Sequence, residues 1–202
     1  MSGSLFDQAG RRKYLTARER FAFAREAYRQ GGEVATFCLT LAFTGARISE
    51  VLALTPDRID GGDGVIVFET LKRRKAGVYR AVPVPMNLIT MLRRVHNLGA
   101  VGRDPKERLW KWCRTTAWKR VKAVMQAANI GDQLAMPRAA RHAFGANSTQ
   151  NAVPLNMIQR WMGHARIETT AIYTDVIGSE ERKLARRAWS SFELAIRDRE
   201  IS

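Results

Sequence analysis

The sequence predicts a mostly α-helical domain with one small antiparallel β-element set into it. Three observations lead there. Apolar residues recur at helical spacing on both sides of a short central stretch. Within that stretch, residues 64–69 (GVIVFE) and 78–85 (VYRAVPVP) read as two strands joined by a charged turn. The 202 residues, 46% hydrophobic and 26% charged, suit one globular domain with its own core.

The elements follow in order. Residues 1–13 read as a loose, basic lead-in. Thr16 followed by Glu19 fits a capping box, which starts a helix running to about Gln30. Gly31 and Gly32 end it. Val34, Phe37, Cys38 and Leu41 share one helical face, so 33–43 reads as a buried helix. A short helix over 47–54 is closed by Thr55-Pro56. The turn between the strands is LKRRKAG, and the prolines at 83 and 85 fit an edge strand or the end of a strand. Helices return over about 86–97, 114–129, 138–148, 154–163 and 179–199. One domain over 14–202 is expected, with no repeat and no low-complexity linker.

Charge gives the first functional direction. Thirty-four Lys and Arg stand against 19 Asp and Glu, a formal net charge of +15. Such an excess favours a polyanionic partner, because binding nucleic acid releases its counterions. Charge alone would also fit a ribosomal or membrane-surface protein. No apolar run is long enough to cross a bilayer, and the first residues lack the apolar stretch of a secretion signal. Cys38 and Cys113 have no metal-ligand spacing, which points to a reduced, cytoplasmic protein. With three histidines in all, no metal site and no cofactor are expected.

Several residues are candidates for chemistry, each with a plainer reading beside it. Arg47 heads a short helix, where free N–H groups and the helix dipole already favour an anion. Its plainer role is an ion pair with Glu50, one turn on. Arg138 and Arg141 in PRAARHAFGA share a helical face and repel unless an oxyanion lies between them. They also read as two solvated arginines. His142 lies about 100° from Arg141 and reads as a buried, hydrogen-bonded histidine. His164 follows Gly163 where a helix should end, and Tyr173 comes nine residues later in an apolar stretch. By spacing alone both read as structural. Residues 103–122 hold eight basic residues and two acids, with Trp110, Trp112 and Trp118 interleaved. The stretch suits a DNA backbone, with the tryptophans read as packing residues.

In this order, the strings LAFTGARISEVLAL, FETLKRRKAGVYRAVPVP, PRAARHAFGA and IQRWMGHARIETTAIYTD resemble the tyrosine recombinase (phage integrase) family. The resemblance covers about residues 14–190 and is most specific at GHxxxxTTxIYT. It implies the catalytic-domain fold of DNA breaking-rejoining enzymes, with Arg47 and Arg141 as the two catalytic arginines. Lys72, directly after the first strand, matches the family's hairpin lysine best, with Lys75 as runner-up. His164 matches the late histidine and Tyr173 the nucleophile. The family motif HxxR places a histidine where this chain has Arg138. An arginine there can hold a phosphate oxygen but not accept a proton.

Family members mostly carry a helical core-binding domain ahead of the catalytic one. Here about a dozen residues precede the first helix, so no such domain is expected. The chain in this respect resembles short recombinases that invert fimbrial switches with a catalytic domain alone. The resemblance implies double-stranded DNA as partner, a tetramer on paired sites joined through the C-terminal helix, and accessory DNA-binding proteins. It also implies a reaction. Tyr173 would bond to a DNA 3′-phosphate, Lys72 would protonate the leaving 5′-oxygen, and the arginines would carry the transition-state charge. Two other readings are a type IB topoisomerase and a catalytically inactive DNA-binding regulator that keeps the fold.

Overall fold

The computed structural model describes residues 4–70 and 77–175, together with Trp189. The turn bearing Lys72 and Lys75 and the expected helix over 179–199 lie outside these residues.

The first helix, α1 (Ala17–Gln30), starts as its capping box dictates. Thr16 Oγ1 accepts from Glu19 N–H, and the Glu19 carboxylate accepts from Thr16 N–H at 2.8 Å. Gly31 ends it at φ 67 and at once serves as the N-cap of α2 (Gly32–Thr44). Two helices thus meet with almost no loop, which requires a residue that tolerates left-handed backbone. Helix α2 is the centre of the core. Phe37, Cys38, Leu39 and Leu41 are all buried. Thr36, Thr40 and Thr44 are buried as well, which apolar periodicity does not anticipate. The hydroxyls of Thr40 and Thr44 donate back to the carbonyls four residues earlier.

After α3 (Ile48–Leu52) comes a sheet of three strands in the order β1 (Ile59–Asp60), β2 (Val65–Glu69), β3 (Tyr79–Pro83), all antiparallel. The two-residue β1 is too short to show in an alternation pattern. Strand β3 is an edge, and Pro83 sits at its end opposite Val65. Alternation turns Ile66 and Phe68 of β2 inward, and Val82 and Arg80 of β3. An inward arginine in an exposed edge strand must find a charge partner, and Arg80 does so on α3.

Four longer helices follow: α4 (Met86–Val95), α5 (Arg114–Ala127), α6 (Pro137–Gln150) and α7 (Leu155–Met162). The one-turn α8 (Glu168–Ala171) and a 3-10 turn, Ile172–Asp175, close the described chain. His96, at the end of α4, is buried with Nε2 3.0 Å from Thr36 Oγ1, a structural role. Trp110 is fully buried against Phe37 and His96 and donates to Glu33 O.

A second, smaller cluster comprises Leu5, Phe144, Ala146, Ile158, Met162 and Tyr173. Its first member corrects the expectation of a loose lead-in over 1–13. Phe6 pairs with Arg12 in an antiparallel bridge, Lys13 N–H donates to Leu5 O, and Leu5 is 0% exposed. Arg12 is also tied to Glu19 through both terminal guanidinium nitrogens. Residues 4–13 are a packed hairpin that buries an apolar side chain beside Tyr173.

Candidate active site

Five side chains from four separate segments line one cleft of about 710 Å³: Arg47, Arg138, Arg141, His164 and Tyr173. All were expected from the sequence to be functional. Each is held there by a local feature.

Arg47 is the N-cap of α3, directly after the turn that ends α2. That turn depends on Gly45, at φ 60, where a Cβ would lie 2.6 Å from a ring carbon of Phe144 on α6. Only glycine allows both the left-handed backbone and the close approach of α6. Glu50 then organises the region. Its Oε2 accepts from Arg47 N–H at 2.8 Å and from Arg80 Nη2 at 2.6 Å, and its Oε1 from Arg47 Nη1 at 2.7 Å. Burial raises the Glu50 carboxyl, but Arg80 and Arg47 outweigh it and hold it below the usual range. The Arg47–Glu50 pair read from the sequence exists, and it aims Arg47 into the cleft rather than occupying it on the surface.

Helix α6 supplies two arginines. Pro137 at its first position suits a helix start. Arg141 reaches across the core, with Nη1 donating to Gly45 O and Nη2 to Met162 O at 2.8 Å. Those acceptors are neutral carbonyls, and among the described residues its charge has no carboxylate of its own. Burial, then the nearby charge of Arg47, pushes its pKa down to about 10, which still leaves it protonated at neutral pH. A cleft with such a charge is completed by an anion.

His164 follows Gly163, which ends α7 in the left-handed conformation at φ 65. Its Nδ1 lies 2.8 Å from Thr170 Oγ1, and the ring is buried. Burial first, then Arg141 and Arg47, pushes its pKa down to about 3. The ring is neutral at physiological pH, and its Nε2 is the nitrogen left for the cleft.

Tyr173 sits in the 3-10 turn after α8 and is 1% exposed. Its ring lies flat on Gly145 of α6, where a Cβ would come within 2.5 Å of Cε2 and Cζ. The hydroxyl is 3.2 Å from His142 Nδ1. Burial pushes the phenol up to about 12, against the lowering pull of Arg141, Arg138 and Arg47. The His164 ring runs parallel to it, with centroids 6.3 Å apart.

Lys72, the remaining expected residue, lies outside the described residues. The strand ends on either side are placed: Thr70 N–H donates to Val78 O, and Thr70 Oγ1 accepts from Arg80. Thr70, Val78 and Gly163–His164 line an adjoining recess.

Sequence reasoning missed several members. His142 contacts the Tyr173 hydroxyl, where only a structural bond was expected. Trp118 was read as packing, yet it is 40% exposed and lines the cleft with Arg114. Glu50 as a double anchor, Arg80 and Thr170 were visible only as scattered polar residues. Among the described residues, no group of three or more His, Cys, Asp or Glu is placed to hold a metal ion. No described helix is long and apolar enough to cross a membrane.

Comparison with known proteins gives a consistent picture. Residues 21–179 match the sequence model of the phage integrase family. The chain is 31% identical to tyrosine recombinase XerD of Vibrio vulnificus over 142 residues, 66% of this chain and 45% of that protein. It is 30% identical to tyrosine recombinase XerA of Pyrococcus furiosus over 159 residues, 74% of this chain and 52% of that protein. The chain thus spans about half the length of the curated relatives it matches. The crystal structure of XerA recombinase superposes with a TM-score of 0.71 at 21% identity, covering 87% of this chain and 64% of that one. The post-cleavage complex of XerH site-specific recombinase with a palindromic difH substrate gives 0.70 at 21% identity, covering 93% and 56%. The mostly helical fold with a small antiparallel sheet is the fold of these structures.

Proposed function

Because this chain belongs to the phage integrase family, we propose that it is a site-specific recombinase that cuts and rejoins double-stranded DNA through Tyr173. The observation that carries the reading is the convergence of Arg47, Arg138, Arg141 and His164 on one buried tyrosine. Burial pushes the Tyr173 phenol up to about 12, and the charges of Arg141, Arg138 and Arg47 pull the other way, favouring the phenolate. Fixed positive charge in a partly desolvated cleft also suits a pentacoordinate phosphorus, whose equatorial oxygens gain charge in the transition state.

In this reading each residue has a role. Arg141, pinned by two carbonyls, and Arg47, pinned by Glu50, grip the non-bridging oxygens of the scissile phosphate. Neutral His164, backed by Thr170, donates from Nε2 to one of them. The Tyr173 oxygen bonds to phosphorus, and the bond to the 5′-oxygen breaks. Lys72 gives that oxygen a proton as it leaves. Attack by the 5′-hydroxyl of another strand reverses the step and joins the strands, so the bond energy is conserved. The basic excess, and Arg114 and Trp118 on the rim of the cleft, favour binding along a DNA backbone. Within this reading the protein works in the cytoplasm as a tetramer on paired sites, with accessory DNA-binding proteins.

The test is a nicked duplex built from repeats that flank the gene. Cleavage beside the nick loses the short strand and traps the intermediate. Wild-type protein should give a covalent adduct stable to denaturation, and Tyr173→Phe none. Binding without adduct for both proteins would refute the catalytic reading and favour an inactive regulator. Relaxation of plasmids that lack any such repeat would favour topoisomerase chemistry.

A further inference from the structure

The position where the family motif carries a histidine holds Arg138, and the structure shows what that arginine does. Arg138 and His142 are four residues apart on α6, so they face each other across one turn. Arg138 Nε lies 3.1 Å from His142 Nε2, and His142 Nδ1 lies 3.2 Å from the Tyr173 hydroxyl. The direction of the first bond is not open. A guanidinium has only donors, so Nε2 must be the acceptor. A neutral imidazole has one donor and one acceptor nitrogen, so Nδ1 carries the proton. A doubly protonated ring would set its Nε2–H against the Arg138 N–H. Among the described residues, the charged groups that act on the ring are Arg138 and Arg141 on α6 and Lys13 on the N-terminal hairpin, all positive. Burial and these three charges keep the ring neutral.

We propose that Arg138 and His142 act as one unit on Tyr173, in which Arg138 fixes His142 as the Nδ1–H tautomer and His142 donates to the Tyr173 oxygen, stabilising the phenolate. His142 is then a catalytic residue that works as a donor and not as a base, and Arg138 is a positioning residue that acts through it. The inference rests on the recombinase reading for its chemical consequence. In the step, the phenol proton passes to water in the cleft and the Tyr173 oxygen forms its bond to phosphorus. The phosphorus–5′-oxygen bond breaks, and the general acid protonates that oxygen. His142 keeps its own proton throughout. This arrangement replaces a proton acceptor at position 138 with a donor relay, so electrostatics takes over what base catalysis does in the family motif.

Two measurements decide it. Histidine 15N NMR on the free protein should show Nδ1 protonated and Nε2 unprotonated at position 142. Arg138→Met should relax that preference into a mixture of tautomers. A wild-type ring protonated at Nε2, or a mixture unaffected by Arg138→Met, overturns the proposal whatever the activity. The second measurement is adduct formation on the nicked duplex at saturating protein. His142→Asn places an amide N–H near the Nδ1 position and should stay within about tenfold of wild type. His142→Phe should fall about a hundredfold, the scale of a hydrogen bond to a charged group, with DNA affinity unchanged. Fluorotyrosine at 173, whose phenol ionises more easily, should narrow the gap between His142→Phe and wild type. Equal losses in the Asn and Phe variants would overturn the donor role and favour a base. If wild-type protein forms no adduct, the recombinase reading fails, while the tautomer measurement still judges the Arg138–His142 unit.

Discussion

Removing the charge of Glu50 tests the architecture of the cleft more sharply than removing any of the arginines. Glu50 and Arg80 are 0% and 4% exposed in their side chains, and their N···O distance is 2.6 Å. Glu50→Gln keeps the shape but leaves Arg80 as a buried cation among Thr70, the Trp161 carbonyl and Arg47. Breaking one partner of a buried ion pair costs ~3–5 kcal/mol. Against a typical domain stability of about 5–15 kcal/mol, that is about a fifth or more. Urea unfolding followed by circular dichroism reads it directly. Replacing both partners, Glu50→Gln with Arg80→Met, should cost less than Glu50→Gln alone, because Arg80 is no longer left as a fully buried unpaired cation, while Arg47 keeps access to water. The pH dependence has a defined sign. The folded carboxyl titrates below its unfolded value of about 4.3. Its contribution is therefore present above that value and lost as pH falls through the lower folded one. Glu50→Gln should flatten this part of the acid limb. A loss under about 1 kcal/mol in Glu50→Gln, with an unchanged acid limb, would refute the view that this pair anchors Arg47.

Other substitutions probe the seat of Tyr173. Gly145→Ala would drive a methyl into the Tyr173 ring, and overpacking of this kind costs ~1–3 kcal/mol; the melting temperature should fall, and an unchanged one would mean the ring does not rest there. Thr170→Val removes the partner of His164 Nδ1 and should slow adduct formation about tenfold with little change in DNA affinity, measured on the nicked duplex. Leu5→Ala should destabilise the protein by ~2–5 kcal/mol, the range for emptying a buried leucine site, and chemical denaturation would show a loss near zero if residues 4–13 were unpacked.

Much of the fold can be read from local signals, and the failures have physical causes. The capping box at Thr16 and Glu19 and the proline-marked edge strand depend on neighbours in sequence, and both stand as expected. Strand β1 and helix α8 are too short to carry a period. Leu5 sits in a stretch with no periodicity, and its burial comes from a surface 140 residues away. The cleft is built from distant segments, so no spacing rule joins Arg47 to Tyr173. Only the order of the motifs did so. His142 shows a local error. Measured from Arg141 it falls off the basic face, but from Arg138 it is one turn along, on the same side. Trp118 shows the limit of composition, because the exposure of a tryptophan on a helix depends on which neighbours pack there.

Tyr173 is 1% exposed, and its ring belongs to a small apolar cluster with Leu5, Phe144, Ile158 and Met162. If Tyr173 is the nucleophile proposed above, its reactivity is set by occupancy as much as by chemistry. If the phosphate meets the hydroxyl only after the 3-10 turn has swung away from α6, each additional ~1.4 kcal/mol of packing reduces the armed fraction tenfold. The apolar contacts under the ring then act as a safety catch. Under the proposed chemistry, they would keep Tyr173 idle until DNA supplied contacts worth more than the ones it displaces.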